Sequence, residues 1–290
     1  MKVLVFGSLN IDYVYPVEHF AGRGETLAAD GMEKHVGGKG LNQAIALARA
    51  GAQVAFAGNI GEEGGFLKEF LAGNNVDTEL IETRDIATGH AIIQVTPDGQ
   101  NAILLFRGAN GTADEAQIEN ALSHFGSGDI LLLQNEINHM DMLIERAKAR
   151  GLTVALNPSP VNAELLAAPL DKVDLFILNE GEAMSISGTG SMEDAEQALA
   201  EKYPAARFVM TLGADGAVYF DGKERLFCPA KKVSAVDTTG AGDTFLGYFL
   251  GSLIGGSDTE TALRTAAAAA AIEVTRCGAA ETIPYKNEIT

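Results

Sequence analysis

The sequence predicts an α/β fold: a doubly wound, mostly parallel sheet flanked by helices, with a small β-sheet lid. Three observations point to it. Short, wholly apolar runs recur along the chain. Stretches with one apolar helical face lie between them. Two β-rich stretches, at about 12–36 and 90–106, interrupt that alternation.

A strand covered on both faces has no solvent side, so it reads as a continuous apolar run. Val3 to Phe6 is the first such run, ending in Gly7-Ser8. Val54 to Ala57, Ile130 to Leu133, Val154 to Leu156, Leu175 to Leu178 and Phe208 to Thr211 repeat the pattern. Between them, Leu41 to Ala50 places Leu41, Ala44, Ile45 and Ala48 on one helical face. Met140 to Arg150 is a second helix, stopped by Gly151. Strand alternating with helix is the signature of βαβ units. In the first β-rich stretch, Tyr13-Val14-Tyr15 and Glu25 to Ala28 read as strands. In the second, Ala91 to Val95 and Ala102 to Phe106 flank the turn signal Pro97-Asp98-Gly99. A small sheet built from these would cover the strand C-termini, the edge at which α/β sheets bind ligands. From Thr244 onward the chain reads as helical and alanine-rich. One domain spanning residues 1–290 accounts for the whole length.

The formal net charge of −18 repels nucleic acid and anionic membranes, and no Lys/Arg run overrides it locally. Cys228 and Cys277 lie far apart without metal-ligand spacing, which fits a reducing compartment. The apolar run after Met1-Lys2 is too short for a signal-peptide core, and the alanine run at 266–271 is too short to span a membrane. A cytoplasmic location follows as the expectation. The histidines (His19, His35, His90, His124 and His139) share no spacing and read as structural or surface groups.

The segment with the most chemistry is Asp237-Thr238-Thr239-Gly240-Ala241-Gly242-Asp243-Thr244-Phe245. Its glycines let the backbone turn tightly and approach a ligand. The helix that follows makes Gly240, Ala241 and Gly242 a row of amides at a helix N-terminus, which is an anion site. Asp243, in the first turn, can cap that helix or act as a general base beside a phosphate. A hydroxyl that attacks a γ-phosphate must lose its proton, and a carboxylate within reach can take it. The chain contains no Gly-x-x-x-x-Gly-Lys-Ser/Thr run, so it is not a P-loop kinase, and Gly7-Ser8-Leu9-Asn10 lacks the glycine spacing of a dinucleotide oxidoreductase.

The Asp237–Phe245 segment resembles the C-terminal signature of the ribokinase-like, phosphofructokinase B-type carbohydrate kinases. Gly7-Ser8-Leu9-Asn10-Ile11-Asp12 resembles that family's first sugar-binding segment. Gly24-Glu25-Thr26 and Gly37-Gly38-Lys39-Gly40-Leu41-Asn42-Gln43-Ala44 are also similar to family segments, and the second varies enough across the family to narrow the substrate. The resemblance runs through Val274-Thr275-Arg276 and Gly278-Ala279. It implies an ATP-dependent kinase of a small furanose-type sugar, ribose first. Asp243 is then the catalytic base, with Gly240, Ala241 and Gly242 as the anion cradle. Asn10, Asp12, Gly38, Lys39, Asn42 and Glu136 contact the sugar, using fixed donors and acceptors for its hydroxyls. Asn179, Thr211, Gly213, Asp215 and Gly216 contact ATP, and Glu182 orders Mg²⁺ through water. The resemblance further implies K⁺ near Asp237, Thr239, Glu273, Arg276, Gly278 and Thr282, largely through backbone oxygens, with Thr239 and Glu273 departing from the usual residue types. Ala266 stands where a polar neighbour of the adenine is usual, which leaves apolar contact there. A homodimer through the lid is implied as well. The rival readings are a kinase of the same family for another sugar, a nucleoside or a sugar phosphate, and a non-catalytic sugar-binding regulator. Arg23, Lys34 and Arg107 are lid-region cations that a sugar phosphate would use.

Overall fold

The computed structural model describes residues 1–289. The strands are β1 Val3–Phe6, β2 Asn10–Pro16, β3 Glu33–Gly37, β4 Val54–Ile60, β5 Asp77–Thr83, β6 Gly89–Val95 and β7 Asn101–Phe106. They continue with β8 Ile130–Gln134, β9 Thr153–Asn157, β10 Leu175–Asn179, β11 Arg207–Thr211, β12 Gly216–Phe220 and β13 Arg225–Pro229. The α-helices are α1 Lys39–Arg49, α2 Gly65–Gly73, α3 Glu115–Ser123, α4 Met140–Ala149, α5 Ala163–Leu166, α6 Glu180–Ser187, α7 Met192–Lys202, α8 Ala241–Ile254 and α9 Thr259–Glu273.

Every apolar run singled out in the sequence is a strand of one large sheet, ordered β13-β12-β11-β10-β9-β8-β1-β4-β5. From β5 to β11 all neighbours are parallel, and β12 and β13 close the edge antiparallel. Val3 to Phe6 are essentially inaccessible, as a strand covered on both faces must be. The chain runs outward from β1 to β5 and then returns to the other side of β1, so the order reverses at β1. Doubly wound sheets open a crevice at such a reversal, beyond the strand C-termini. One apolar cluster, with α1, α8 and α9, fills one face of the sheet, and a second, with α3, α4 and α7, fills the other. Among the described residues no helix is long and apolar enough to cross a membrane.

The β-rich interruptions form a separate sheet, β3-β2-β6-β7. One expected strand is corrected. Glu25 to Ala28 is loop, and the partner of β2 is Glu33–Gly37. The cause is local: Gly24 takes a left-handed φ of 78°, and the Glu25 carboxylate accepts from the Gly22 amide and bonds His19. That turn occupies the groups a ladder would need. The Pro97-Asp98-Gly99 turn does join β6 and β7, closed by the Gly99 amide on the Thr96 carbonyl at 2.9 Å.

Helices α1 and α8 pack at backbone distance. Gly247 lies against Ala46, and a Cβ on Gly251 would stand 2.6 Å from that of Ala50. Small residues on both helices allow this approach. It brings the first turns of α1 and α8, about 200 positions apart in sequence, into hydrogen-bond range.

Candidate active site

The strands of the large sheet deliver polar residues to one edge. Ser8 follows β1, Gln134 ends β8 with Asn135 and Glu136 just beyond, Asn157 ends β9, Asn179 ends β10 and Thr211 ends β11. Across the crevice, α1 starts at Lys39 and α8 at Ala241.

Asp243 lies in the first turn of α8, whose N-cap, Gly240, has φ 80°. Its Oδ2 accepts from Asn42 Nδ2 at 2.9 Å and its Oδ1 from Gln43 Nε2 at 2.8 Å. Burial pushes the Asp243 carboxyl up to about 6, against the opposing pull of Lys39 and the two amides. Glu136, buried, is the second hub. It accepts from Ser8 Oγ at 2.5 Å, from the Lys39 amide at 3.3 Å and from Lys39 Nζ at 3.2 Å. Burial alone would lower the Lys39 ammonium, but Glu136 and Asp243 outweigh it and hold it above its ordinary value. Asp12, on β2 of the small sheet, is pushed up to about 6 by burial and by Glu136. Asn10 and Asp12 both lie on β2 of the small sheet, with Asn10 paired opposite Gly37.

Two hollows adjoin this cluster. One, of about 230 Å³, is lined by Lys39, Asn179, Glu182, Thr211, Gly242 and Asp243. The other, of about 50 Å³, lies between Asn10, Asn110, Glu136 and the lid residues Leu105 and Arg107. Lys39 lines the larger hollow, and its ammonium bonds Glu136, which lines the smaller. Asn179 and Glu182 are engaged with each other in a reciprocal helix cap, through the Glu182 amide on Asn179 Oδ1 and the Asn179 amide on Glu182 Oε2. Gly213 and Asp215 form an exposed turn after β11, outside the larger hollow, and Gly216 (φ 124°) starts β12 beside Cys228.

The C-terminal stretch is also brought together. Asp237 accepts from the amides of Thr239 at 2.9 Å and Gly278 at 3.1 Å, and these hold its carboxyl low in spite of partial burial. Arg276 donates to the Thr282 carbonyl at 3.1 Å and to Glu288. Glu273 is fully buried, and both its oxygens lack a hydrogen-bond partner. Burial raises its carboxyl to about 8. Among the described residues no group of three or more His, Cys, Asp or Glu side chains could hold a metal ion. Ala266 is corrected: it is wholly enclosed in the core on α9 and makes no wall for a nucleotide. Its periodic place on the inward face of α9 is the cause.

Sequence reasoning missed three supporting groups. Ser8 clamps Glu136 and accepts from the Gly40 amide at 3.2 Å. Gln43 reaches the Asp243 carboxylate. Asn110 accepts from the Leu9 amide at 2.9 Å and donates to Asn10 Oδ1 at 2.8 Å, which aims the other end of the Asn10 amide. Ser8 and Gln43 stand inside motifs quoted from the sequence without a role of their own, whereas Asn110 lies outside them, with no local signal.

A carboxylate beside a helix N-terminal amide row, a lysine between two hollows and a small sheet over one of them suit transfer of a phosphoryl group to a hydroxyl. Comparison with known proteins agrees. The family model for pfkB family carbohydrate kinases matches residues 1–286. A ribokinase of Haemophilus influenzae is 38% identical, over 98% of this chain and 95% of the relative. The solved ribokinase of Cryptococcus neoformans with ADP is 35% identical, with a TM-score of 0.86 over 99% of this chain and 98% of that one. The Arabidopsis thaliana ribokinase complexed with ribose and ATP is 31% identical, with a TM-score of 0.86 over 99% and 97%. A match of that extent, over a shared fold, makes this chain a member of the pfkB family of carbohydrate kinases.

Proposed function

We propose that the chain transfers the γ-phosphate of ATP to the primary hydroxyl of D-ribose, giving D-ribose 5-phosphate and ADP. The carrying observation is Asp243, which faces the α8 amide row on one side and the Asn42, Lys39 and Glu136 cluster on the other. Ribose binds against Asn10, Asp12, Gly38, Lys39, Asn42 and Glu136, beside the smaller hollow that Asn10 and Glu136 line. Asn42 Oδ1, buried and without a partner, is an acceptor for a sugar hydroxyl. The small sheet acts as a lid that excludes water from the reacting groups. Asp243 takes the proton of the primary hydroxyl as its oxygen attacks phosphorus in line, and ADP leaves. The amides of Gly240 to Gly242 and the Lys39 ammonium hold the charge on the transferring group. Thr211 and the turn at Gly213, Asp215 and Gly216 hold the nucleotide.

Mg²⁺ would be held by Glu182 through water. Each Glu182 oxygen accepts one hydrogen bond, which leaves an acceptor position on each. Bound there, the ion supplies positive charge to the phosphates. K⁺ would sit by the stretch of Asp237, Thr239, Glu273, Arg276, Gly278 and Thr282, where a cation would favour the charged form of the buried, unpartnered Glu273 carboxyl that burial otherwise keeps protonated. The exposed β7 residues Ile103, Leu104, Leu105 and Phe106 favour a homodimer through the lid. The acidic composition and free cysteines fit the cytoplasm.

The test is ADP release with ATP and Mg²⁺ across ribose, deoxyribose, fructose, adenosine and fructose 6-phosphate, with and without K⁺. Ribose-dependent release is expected. Release with another acceptor moves the substrate, and none at all overturns the kinase reading. The rate should also fall below about pH 6, because Asp243 and Asp12 are both raised to about 6 and a protonated Asp243 cannot accept. With both groups involved, the acid limb of kcat/KM should be steeper than tenfold per pH unit. A profile flat from pH 5 to 8 would contradict this assignment. Glu273→Gln replaces a carboxyl that burial raises to about 8 by a group neutral at every pH, so near pH 7 and without K⁺ its melting temperature should rise by a few degrees, for a gain of about 1–3 kcal/mol. The stabilisation that K⁺ confers on the parent should shrink in this variant. An unchanged response to K⁺ would remove Glu273 from the cation stretch.

A further inference from the structure

Beside the proposed base lies a row of side-chain amides, Gln43 and Gln134 fully buried and Asn157 partly so, that the mechanism above does not use. Gln43, with no accessible surface, donates from Nε2 to Asp243 Oδ1 at 2.8 Å and to Asn157 Oδ1 at 3.3 Å. Its Oε1 accepts from Gln134 Nε2 at 2.7 Å. Asn157 is itself oriented, because its Nδ2 donates to the Ile177 carbonyl at 2.9 Å. Gln134 is enclosed where β1, α1 and β8 meet, against the Cα of Gly7, which leaves no room for a Cβ there.

These contacts allow one orientation of the Gln43 amide. Turned over, its oxygen would face the Asp243 carboxylate and the Asn157 oxygen, and Gln134, whose Oε1 has no other partner, would have to turn with it. The contacts with Asp243 and Asn157 would change from attractive to repulsive inside the protein, where an unmade hydrogen bond costs most. The two oxygens of Asp243 are therefore unequal. Oδ1 is tied to a fixed amide that faces no hollow, whereas Oδ2 is tied to Asn42, whose orphaned oxygen awaits the sugar.

We infer that Gln43 is a positioning residue for the reaction, locked by Gln134 and Asn157, and that it anchors Asp243 Oδ1 so that Oδ2 is the oxygen that takes the substrate proton. The inference rests on the proposed kinase reading. Other charges act on Asp243 as well: Lys39 opposes its protonation and Glu136 repels its charge, while Asp243 in turn helps to raise the Glu273 carboxyl. Gln43 differs from them in direction as well as sign, since it fixes the plane of the carboxylate. A carboxylate free to rotate would present its lone pair to the hydroxyl only part of the time, and small misplacements of a reacting group cost rate steeply.

The experiment compares the full-length protein with Gln43→Leu, which keeps the bulk and removes the donor. In the ADP-release assay, kcat should fall about tenfold to a hundredfold with KM for ribose nearly unchanged. The acid limb should move up by about one to two pH units, because a hydrogen bond favouring the charged carboxyl is lost. Carbon NMR titration of the Asp243 carboxyl should show the same displacement with no substrate present. It therefore separates this inference from the kinase reading: a shift in an enzyme inactive with ribose keeps the anchor and removes the substrate. If Gln43→Leu fails to fold, Gln134→Met releases the far end of the row. It should give a smaller fall in kcat with the same direction of shift. A folded variant with the wild-type kcat and an unmoved titration overturns the inference.

Discussion

Replacing Asp243 with Asn is expected to lower kcat by about 10²- to 10⁴-fold while ribose binding largely persists. The amide keeps the shape of the side chain and can still meet one neighbour. It cannot take the proton of an attacking hydroxyl. The sugar's other partners, Asn10, Asp12, Lys39, Asn42 and Glu136, remain in place, so the loss should fall on turnover rather than on KM. Stability should hold or improve, because burial raises the Asp243 carboxyl and so works against its charged form at neutral pH. Steady-state kinetics with calorimetric ribose binding makes the comparison. Near-full turnover in a folded Asp243→Asn protein would end its assignment as the base and favour a cap of α8.

Replacing Gly240 with Ala should be nearly as damaging, for a different reason. Gly240 sits at φ 80°, and its Cβ would stand 2.7 Å from Glu273 Oε1 and 3.2 Å from Ala279 Cβ. The left-handed backbone alone costs an alanine about 1–2 kcal/mol. The contact with a fully buried glutamate adds to that, so the α8 N-terminus must shift. Its amides then miss the positions that hold the transferring phosphate, and losing one such donor costs about 10²–10³ in kcat. The expected outcome is a kcat about a hundredfold lower with a melting temperature lower by several degrees. Gly242→Ala is the contrast. Nothing lies within 4 Å of a Cβ there, and the residue lines the larger hollow. That variant should melt like the parent and lose activity. Equal melting temperatures for both variants would show that Glu273 and Ala279 do not brace the cradle.

The reading of Val3 to Phe6 as a doubly covered strand needed only local pattern, and so did the helix with Leu41, Ala44 and Ile45 inward. Asp243 in the first turn of a helix behind glycines was equally legible, because backbone conformation at that point depends on a few neighbouring residues. The lid was legible as β-rich, but its second strand was misplaced at Glu25 to Ala28. Strand pairing is a long-range choice, and there the Gly22–Glu25 turn competes with it. Ala266 was misread because helical phase, not sequence neighbourhood, decides which side chains see a cavity.

From the sequence alone come the α/β class, the central parallel strands in their order along the chain, and the glycines that precede α8 with the carboxylate in its first turn. All of these rest on periodicity and on short motifs whose physics is local. Only the tertiary structure decides which groups surround that carboxylate. Asn42 and Gln43 reach it because glycine and alanine let α1 and α8 touch, and Ser8 and Lys39 meet Glu136 because β1 and β8 are neighbours in the sheet. Such contacts join residues 97 to 201 positions apart. Their hydrogen bonds and charge displacements exist only once the packed core has excluded water between them.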